Sequence, residues 1–461
     1  MTATKEKTTS PARDLTEGQP MKLIILFALP MLLGLFLQQF YSLVDSMIVG
    51  NYVGEKALAG VGSTGAINFI VLVGLCIGVC NGFSVILAQR YGAKDLEGLR
   101  RALANSIWLC MILGGTVTVL VSVFCKPILK LMRTPDNIFE YAHAYLWIIF
   151  IGIPFMLLYN QAAGVLRALG DSRSPLIFLI ISAFLNIGLD LLLIVKFGMG
   201  TEGAAIATVF SQGFSGVLCV VYIKKKFPIL KMKRDEMRPD KVIMKNLLSV
   251  GLPMGLQYSI TGIGSVILQA SVNGLGDSAI AAITAAQKVQ ILLACPLDGL
   301  GQAMAPFAGQ NVGAKKIDRV GQGLKSAVIC GMAVSLMIVC ICAVIGRTAV
   351  SLFLDKTELT PDQVETILNY GAQFLFITAC FDPLLALVNT VRFTIQGMGF
   401  SNFAMLAGVL EMIARSLIGL FLIPLVGFIG ACFAGPLAWV FADAFLIPAY
   451  FHCKKVLSSA Q

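Results

Sequence analysis

The segment "LIILFALPMLLGLFLQQFYSLVDSMIVG", residues 23–50, is almost entirely apolar and contains a single charged residue, Asp45. About 20 apolar residues in a helix are enough to cross the hydrocarbon core of a bilayer, so this segment is long enough to span a membrane. Because lipid offers no hydrogen-bond partner to an open strand, we expect the segment to be helical. A carboxylate inside such a helix requires either a partner or a function.

Similar apolar segments recur along the whole chain. The 461 residues are 57% hydrophobic and 13% charged, whereas soluble domains contain about 25% charged residues. The sequence therefore predicts an all-α polytopic membrane protein with twelve transmembrane helices. We place these helices at residues 22–50, 58–90, 101–125, 139–163, 175–196, 203–223, 246–273, 279–311, 324–346, 364–395, 404–425 and 430–452.

The second half of the chain repeats the first. "AQRYGAK" at residues 88–94 corresponds to "GQNVGAK" at residues 309–315, and other segments match in the same order. Aligned residues include the pairs Gln89/Gln310, Gly92/Gly313, Pro154/Pro383 and Asn160/Asn389. Parallel repeats predict two pseudo-symmetric six-helix lobes around a central cavity, the architecture of alternating-access carriers. A channel is the alternative on helix count alone.

The predicted helices and the charge pattern divide the chain into five parts. These are a flexible tail at 1–21, a first lobe at 22–223, a basic linker at 224–245, a second lobe at 246–452 and a tail at 453–461. The first 21 residues lack the apolar core of a signal peptide. Most of the 35 lysines and arginines fall on the side of the termini, so the positive-inside rule predicts that both tails and the linker are cytoplasmic. The expected location is the inner (plasma) membrane.

Polar side chains in the first lobe follow helical spacing. Gln38, Tyr41, Ser42 and Asp45 form one stripe, Asn186 and Asp190 share a face of the fifth helix, and Thr208, Ser211 and Gln212 share a face of the sixth. Such residues could simply hold helices together by hydrogen bonds. However, two aspartates without a lysine or arginine at comparable depth should share a proton or bind a cation.

These residues resemble those of the multidrug and toxic compound extrusion (MATE) family, over essentially the whole chain. The likeness is carried by "ALPMLLGLFLQQFYSLVDSMIVG", "VLRALGDSRSP" and the distributed polar cluster, and it is greatest to the branch similar to the DNA-damage-inducible F proteins. The resemblance implies a cation site for H⁺ or Na⁺ formed by Asp45, Asn186, Asp190 and Thr208. It also implies a substrate cavity lined by Gln38, Tyr41 and Asn160.

Acidic residues in the second lobe have less defined roles. Asp382 matches an acidic position in the tenth helix of other MATE branches, which implies a second cation ligand or a counter-ion for the substrate. The alternative is a carboxylate paired with Lys288 or with a helix end. Glu411 and Arg415, four residues apart, are expected to form a structural ion pair, with a substrate-facing Glu411 as the alternative. Asp298 and Asp443 are further buried candidates without an assigned role.

The expected function is secondary active efflux of amphipathic, often cationic compounds in exchange for H⁺ or Na⁺. The chain lacks a "GxxxxGK[ST]" nucleotide loop, so we expect an ion gradient to be the energy source and no cofactor to be needed. No Ser/His/Asp set or metal-ligand cluster supports an enzyme, and we expect no metal beyond Na⁺ at the cation site. Small amphipathic molecules and membrane lipids are the expected partners, and nucleic acid is not.

A lipid or lipid-linked oligosaccharide flippase is the alternative function. A flippase would be expected to line its cavity with several basic residues that hold phosphates. Few basic residues are available in the predicted helices: Lys288, Arg415 and Arg392, the last of which we place near the cytoplasmic end of a helix. A membrane-embedded enzyme or receptor is a more distant third reading.

Overall fold

The computed structural model describes residues 13–354 and 359–459, and every regular element in these two ranges is a helix. The described ranges contain twelve long helical segments: nine helices and two bent pairs that are long and apolar enough to cross a membrane, and Lys241–Val272. They are α1 (Pro20–Tyr52), α2 (Glu55–Gly92), α3 (Leu96–Val123), α4 (Asp136–Ile151 and Ile153–Ala168), α5 (Arg173–Lys196), α6 (Gly200–Lys226), α7 (Lys241–Val272), α8 (Asp277–Gly313), α9 (Ile317–Ser351), α10 (Pro361–Cys380 and Asp382–Gly397), α11 (Ser401–Val426) and α12 (Ala434–Ser459). The predicted fold class, with α1–α6 in one lobe and α7–α12 in the other, is confirmed.

Two of the twelve segments are bent at matching positions of the repeat. α4 and α10 each consist of two helices that meet at 50°. Pro154 and Pro383, which align in the repeat, lie in the first turn after each break. Proline has no N–H to donate to the preceding turn, and its ring clashes with that turn, so each bend follows from the sequence.

The two lobes pack together mainly at the end of the bundle that carries the chain termini. The largest apolar cluster joins Ile24 and Phe27 of α1 to residues of the second lobe such as Met304 and Ile395. Clusters nearer the opposite end draw their members from a single lobe, as around Ile48 in the first lobe. The lobes are therefore joined at the end of the bundle that carries residues 13 and 459. We call this end the terminal end.

Glycines form the seam between α2 and α7. A Cβ added to Gly82 would lie 2.4 Å from the Cα of Gly251, and one added to Gly78 would lie 2.7 Å from the Cα of Gly255. Such distances admit no side chain, so the backbones of the two lobes touch directly. Small residues at close helix crossings are typical of membrane proteins, where van der Waals packing holds helices together.

The expected flexible tail at 1–21 is wrong for its second part. Residues 13–19 are packed against the bundle, the side chain of Leu15 is only 1% exposed, and α1 already begins at Pro20. The physical reason is that Leu15 adds its side chain to the largest apolar cluster. Residues 1–12 lie outside the described residues, as do 460 and 461 at the other end, where α12 continues to Ser459.

Candidate cation site and central cavity

Two carboxylates from different helices meet inside the first lobe. Asp45 on α1 and Asp190 on α5 lie close enough for their carboxyl groups to interact directly. Asp190 is fully buried, and neither of its oxygens has a hydrogen-bond partner among the described residues. Oδ1 of Asp45 is also buried without a partner in this part of the chain. Adjacent carboxylates in this setting are stable when they share a proton or bind a cation.

Asn186 lies one turn before Asp190 on α5 and is 2% exposed. Both polar atoms of its side-chain amide are buried, and within the described ranges neither forms a hydrogen bond. An unpaired amide in a membrane helix costs free energy, because no water is available to replace the missing partner. The Asn186 oxygen is therefore free to act as a ligand beside the two carboxylates.

Thr208 contributes a hydroxyl from α6. The hydroxyl donates to the Ala204 carbonyl at 3.0 Å, which leaves its oxygen lone pairs unused. Residues next to the polar ones pack in a single apolar cluster, which contains Val44, Ile187 and Ala204. α1, α5 and α6 therefore pack together beside these residues. The four predicted side chains carry the oxygen ligands that hard cations prefer.

A π-helical turn begins directly after Asp190. Residues Leu191–Lys196 form it, and the second lobe has a matching turn at Ile418–Leu422. In a π turn each N–H bonds five residues back, so the backbone is locally wider than in an α-helix. Such turns occur often at functional sites, and this one lies at the most buried carboxylate of the cluster.

Tyr145 on α4 is a neighbour of the cluster that the sequence analysis missed. Its side chain is partly buried and lies within electrostatic range of Asp45, Tyr41 and Asp190. The sequence around it, "HAYLW", shows no polar stripe, so spacing gave no signal. Its hydroxyl adds a proton donor and acceptor to the site.

The predicted cavity residues of the first lobe lie on α1 and α4. Gln38 and Tyr41 are partly exposed and lie one turn apart. Gln212 Nε2 of α6 donates to the Tyr41 hydroxyl at 3.4 Å. Asn160 is also partly exposed, and its amide donates to the Met156 carbonyl of its own helix at 2.8 Å. All three side chains therefore retain polar atoms that are accessible to a ligand.

Asp382 lies in the other lobe, apart from this set. It is 4% exposed and occupies the first turn of the second half of α10, where the helix dipole favours a carboxylate. Its electrostatic neighbour is Asp298, whose Oδ1 accepts a hydrogen bond of 2.7 Å from the Asn389 amide. Lys288, the expected alternative partner, is exposed.

Glu411 has a different main partner from the expected one. Its carboxylate forms a buried ion pair with Arg392 of α10, whereas Arg415 Nη2 lies 3.8 Å from Glu411 Oε2. Arg415 instead donates to Ser265 Oγ at 2.9 Å. Arg392 lies near the end of α10 at Gly397, as expected, but its side chain is only 6% exposed and turns toward Glu411 of α11.

Comparisons with known proteins give a consistent result. The family model described as MatE matches residues 30–192 and 253–425. "Probable multidrug resistance protein YoeA" of Bacillus subtilis (strain 168) is 32% identical over 340 residues, which are 72% of this chain and 73% of that protein. "Probable multidrug resistance protein YpnP" of the same organism is 31% identical over 398 residues, 86% of this chain and 85% of that protein.

The fold also matches solved structures. One is described as the outward-facing conformation of a multidrug resistance MATE family transporter of the MOP superfamily. It superposes with a TM-score of 0.88 over 98% of this chain and 100% of that chain, at 23% sequence identity. At this identity the likeness establishes the fold alone.

Proposed function

Because the chain belongs to the MatE family, we propose that it is a secondary active transporter that exports small amphipathic compounds in exchange for H⁺ or Na⁺. Its relatives in Bacillus subtilis are named as probable multidrug resistance proteins. An export function of this kind requires an ion-coupling site and a cavity that two conformations expose in turn. No enzymatic step is part of the proposal.

The observation that carries this proposal is the buried pair of Asp45 and Asp190. Among the described residues, no hydrogen bond reaches Asp45 Oδ1 or either oxygen of Asp190, and no basic group adjoins the pair. The pair therefore favours the binding of H⁺ or Na⁺, with Asn186 and Thr208 completing a set of oxygen ligands. Binding of the ion removes the negative charge that favours a cationic substrate. Ion and substrate therefore compete, and each stabilises a different conformation, as antiport requires.

The repacking of α1 is the proposed link between ion binding and opening. α1 contains Pro30, whose position in the repeat is taken by Pro253 of α7. Since proline lacks an N–H, the backbone hydrogen bonding of α1 is already interrupted there. Neutralisation of Asp45 lets the outer half of α1 move against α5 without breaking a regular helix.

The orientation follows from the charges of the loops. Most lysines and arginines lie at the terminal end, so we place both termini in the cytoplasm of a cell with the protein in its plasma (inner) membrane. The lobes pack together at this end and draw on separate clusters at the other. In this orientation the contacts that join the lobes lie on the cytoplasmic side, the arrangement we assign to an outward-facing transporter.

The proposed substrates are small amphipathic cations. Gln38, Tyr41 and Asn160 offer amide and aromatic surfaces with few charges, which suits broad and weak recognition. Asp45 and Asp190 supply the counter-charge when no ion is bound. Asp382 extends this counter-charge into the second lobe.

A lipid-linked oligosaccharide flippase is less well supported. Phosphate recognition would need basic side chains that are free in the cavity. Arg392 is paired with Glu411, Arg415 donates to Ser265 and Thr261, and Lys288 is exposed. These contacts engage both guanidinium groups, so Lys288 alone of the three side chains is left free for a phosphate.

Transport in proteoliposomes tests the function. Purified protein is reconstituted, and export of a fluorescent cationic dye is recorded with a pH gradient and with a Na⁺ gradient, each imposed alone. We expect one gradient to drive dye export, and we expect the ionophore that dissipates it to stop the transport. Movement of a lipid-linked sugar without ion-driven dye export would support the flippase instead.

A further inference from the structure

Residues 13–19, hereafter the strap, cross from one lobe to the other. The strap leads into α1 of the first lobe, but its hydrogen bonds are made to α8 of the second. The Leu15 N–H donates to Gln310 Oε1 at 2.9 Å, and Asn311 Nδ2 donates to the Leu15 carbonyl at 3.1 Å. Gln310 and Asn311 are both fully buried. The backbone of the strap is therefore bound by two buried side-chain amides, those of Gln310 and Asn311.

Basic residues of the second lobe hold the same segment from the solvent side. Lys316 Nζ donates to the Thr16 carbonyl at 2.9 Å, and Arg319 Nη2 lies 3.5 Å from the Leu15 carbonyl. These two side chains belong to the α8–α9 corner. The main chain of the strap is thus bound on two sides by one lobe.

The first lobe contacts the strap from below. A Cβ on Gly170, at the corner between α4 and α5, would lie 2.0 Å from the Arg13 carbonyl oxygen. The φ of Gly170 is +86°, so glycine is needed there for both conformation and space. The strap therefore fills the gap between Gly170 of the first lobe and Gln310 of the second.

The hydrogen bonds that join the two lobes beneath the strap are symmetric. Gln310 Nε2 donates to the Ala168 carbonyl at 2.8 Å across the lobe boundary. Its repeat partner, Gln89, donates to the Gly397 carbonyl at 3.0 Å in the opposite direction. Among the described residues no strap packs on Gly399, the repeat partner of Gly170, and the neighbour of a Cβ there is the Gln89 side chain at 3.2 Å.

The segment before α7 is the counterpart of the strap but is fixed more firmly. Residues 227–240 cross onto α3 of the first lobe, where Glu236 forms an ion pair of 2.7 Å with Arg100. The Arg100 hydrogen bonds lower the pKa of Glu236 to about 2, so the pair stays ionised at physiological pH. Trp108 Nε1 also donates to the Met237 carbonyl at 3.0 Å.

The strap lacks this kind of attachment. Within the described part of the chain it is held by hydrogen bonds to its main chain and by the Leu15 side chain, with no salt bridge of its own. Opening of the terminal end must separate Gln310 from Ala168, and a strap bound between Gln310 and Gly170 cannot keep both contacts. We propose that the strap is a releasable latch, which holds the lobes closed at the terminal end and must detach from one of them before that end opens.

Interlobe distances test the latch directly. Spin labels are attached to cysteines that replace Glu97 and Asp318, after removal of the native cysteines. These two residues are exposed repeat partners in the first turns of α3 and α9. Leu15→Ala should increase the ratio of open to closed populations at this end at least tenfold. The control is Leu129→Ala, since Leu129 is equally buried but lies within a first-lobe cluster. The control should leave the distance distribution unchanged.

A second pair of variants separates displacement of the strap from backbone strain. Gly170→Ala places a methyl group on the Arg13 carbonyl. Gly276→Ala is the control, because it imposes comparable backbone strain at φ +90° and has nothing within 4 Å of its Cβ. We expect the first to open the terminal end and the second to open it much less. Unchanged distances in both Leu15→Ala and Gly170→Ala would overturn the proposal.

The latch rests on the alternating-access function proposed above. Its test nevertheless measures the distance between the lobes and not transport. If the lobes open as expected but no ion drives export, the latch stands and the proposed function fails. If export is ion-driven but the distances do not respond to the strap variants, the latch fails alone.

Discussion

Arg392 and Glu411 form a buried ion pair between α10 and α11, and Glu411 occupies the position that the repeat relates to Asn186 of the first lobe. The second lobe therefore supplies its own cation, a guanidinium group, at the place where the first lobe presents only carboxylates and an amide. This difference explains how two related bundles can have different roles. Under the function proposed above, we therefore assign the ion-coupling role to the first lobe.

Loss of one partner of this pair should destabilise the protein. Glu411→Gln leaves the Arg392 guanidinium buried with a neutral neighbour, at a cost of about 3–5 kcal/mol. Thermal unfolding in detergent should show a clear fall in the midpoint. Arg392→Met combined with Glu411→Gln should recover part of the loss. Unchanged stability with abolished export would instead assign Glu411 to the substrate.

The glycine seam should respond to a single methyl group. Gly82→Ala places a Cβ 2.4 Å from the Cα of Gly251, so α2 and α7 must move apart, at about 1–3 kcal/mol. We expect a lower midpoint of thermal unfolding. Gly188→Ala is the matched control, because nothing lies within 4 Å of its Cβ. Equal effects of the two substitutions would show that the seam is not under packing constraint.

The Tyr145 hydroxyl should matter for coupling and not for folding. Tyr145→Phe removes one proton donor beside Asp45 and Asp190 and keeps the ring in its apolar cluster. We expect several-fold slower ion-driven export at unchanged expression. Tyr141→Phe, one turn away and 38% exposed, is the control. Identical export rates for Tyr145→Phe and the unmodified protein would remove Tyr145 from the site.

Docking of the linker should be insensitive to pH over the physiological range. The pKa of Glu236 is lowered to about 2 by Arg100, against about 4.3 in an unfolded chain. Its contribution is therefore fully present above pH ~4.3 and is lost as pH falls toward 2. Hydrogen exchange at residues 227–240, corrected for intrinsic rates, should show constant protection from pH 8 to 5. A loss of protection between pH 7 and 5 would contradict this assignment.

The sequence predicts the parts of the fold that depend on apolar length and spacing. Twelve helices follow from hydrophobic segments, and the bends of α4 and α10 coincide with the aligned prolines Pro154 and Pro383. Helical spacing marks the polar faces that carry Asp45 and Asp190, whereas the grouping of these two residues in one site comes from the family resemblance. These features are encoded within single helices or by their repetition.

Contacts between distant segments could not be predicted in the same way. The strap is polar apart from Leu15, so nothing local indicates that Gln310 and Asn311 would bind its backbone. Arg392 lies a few residues from the end of α10, and only the position of Glu411 on the facing helix shows that it turns inward. Tyr145 is one aromatic residue among many apolar ones.

The ligands around the two aspartates should differ in importance. Asn186→Ala removes one neutral oxygen, so we expect weaker ion coupling with transport retained. The aspartates carry the charge, so their replacement should reduce ion coupling more than Asn186→Ala does.

Asp443 provides a control in the second lobe, because it is 4% exposed and both its oxygens lack a hydrogen bond in the described part of the chain.

Substrate-driven ion flux through the Asp45→Asn protein tests the account most directly. The amide keeps the shape of the side chain and loses its charge, so folding and expression should be nearly unchanged. In proteoliposomes, addition of the cationic dye should drive ion movement through the unmodified protein and through Asp443→Asn. We predict no dye-driven flux of H⁺ or Na⁺ in Asp45→Asn. A flux equal to that of the unmodified protein would show that Asp45 only holds helices together.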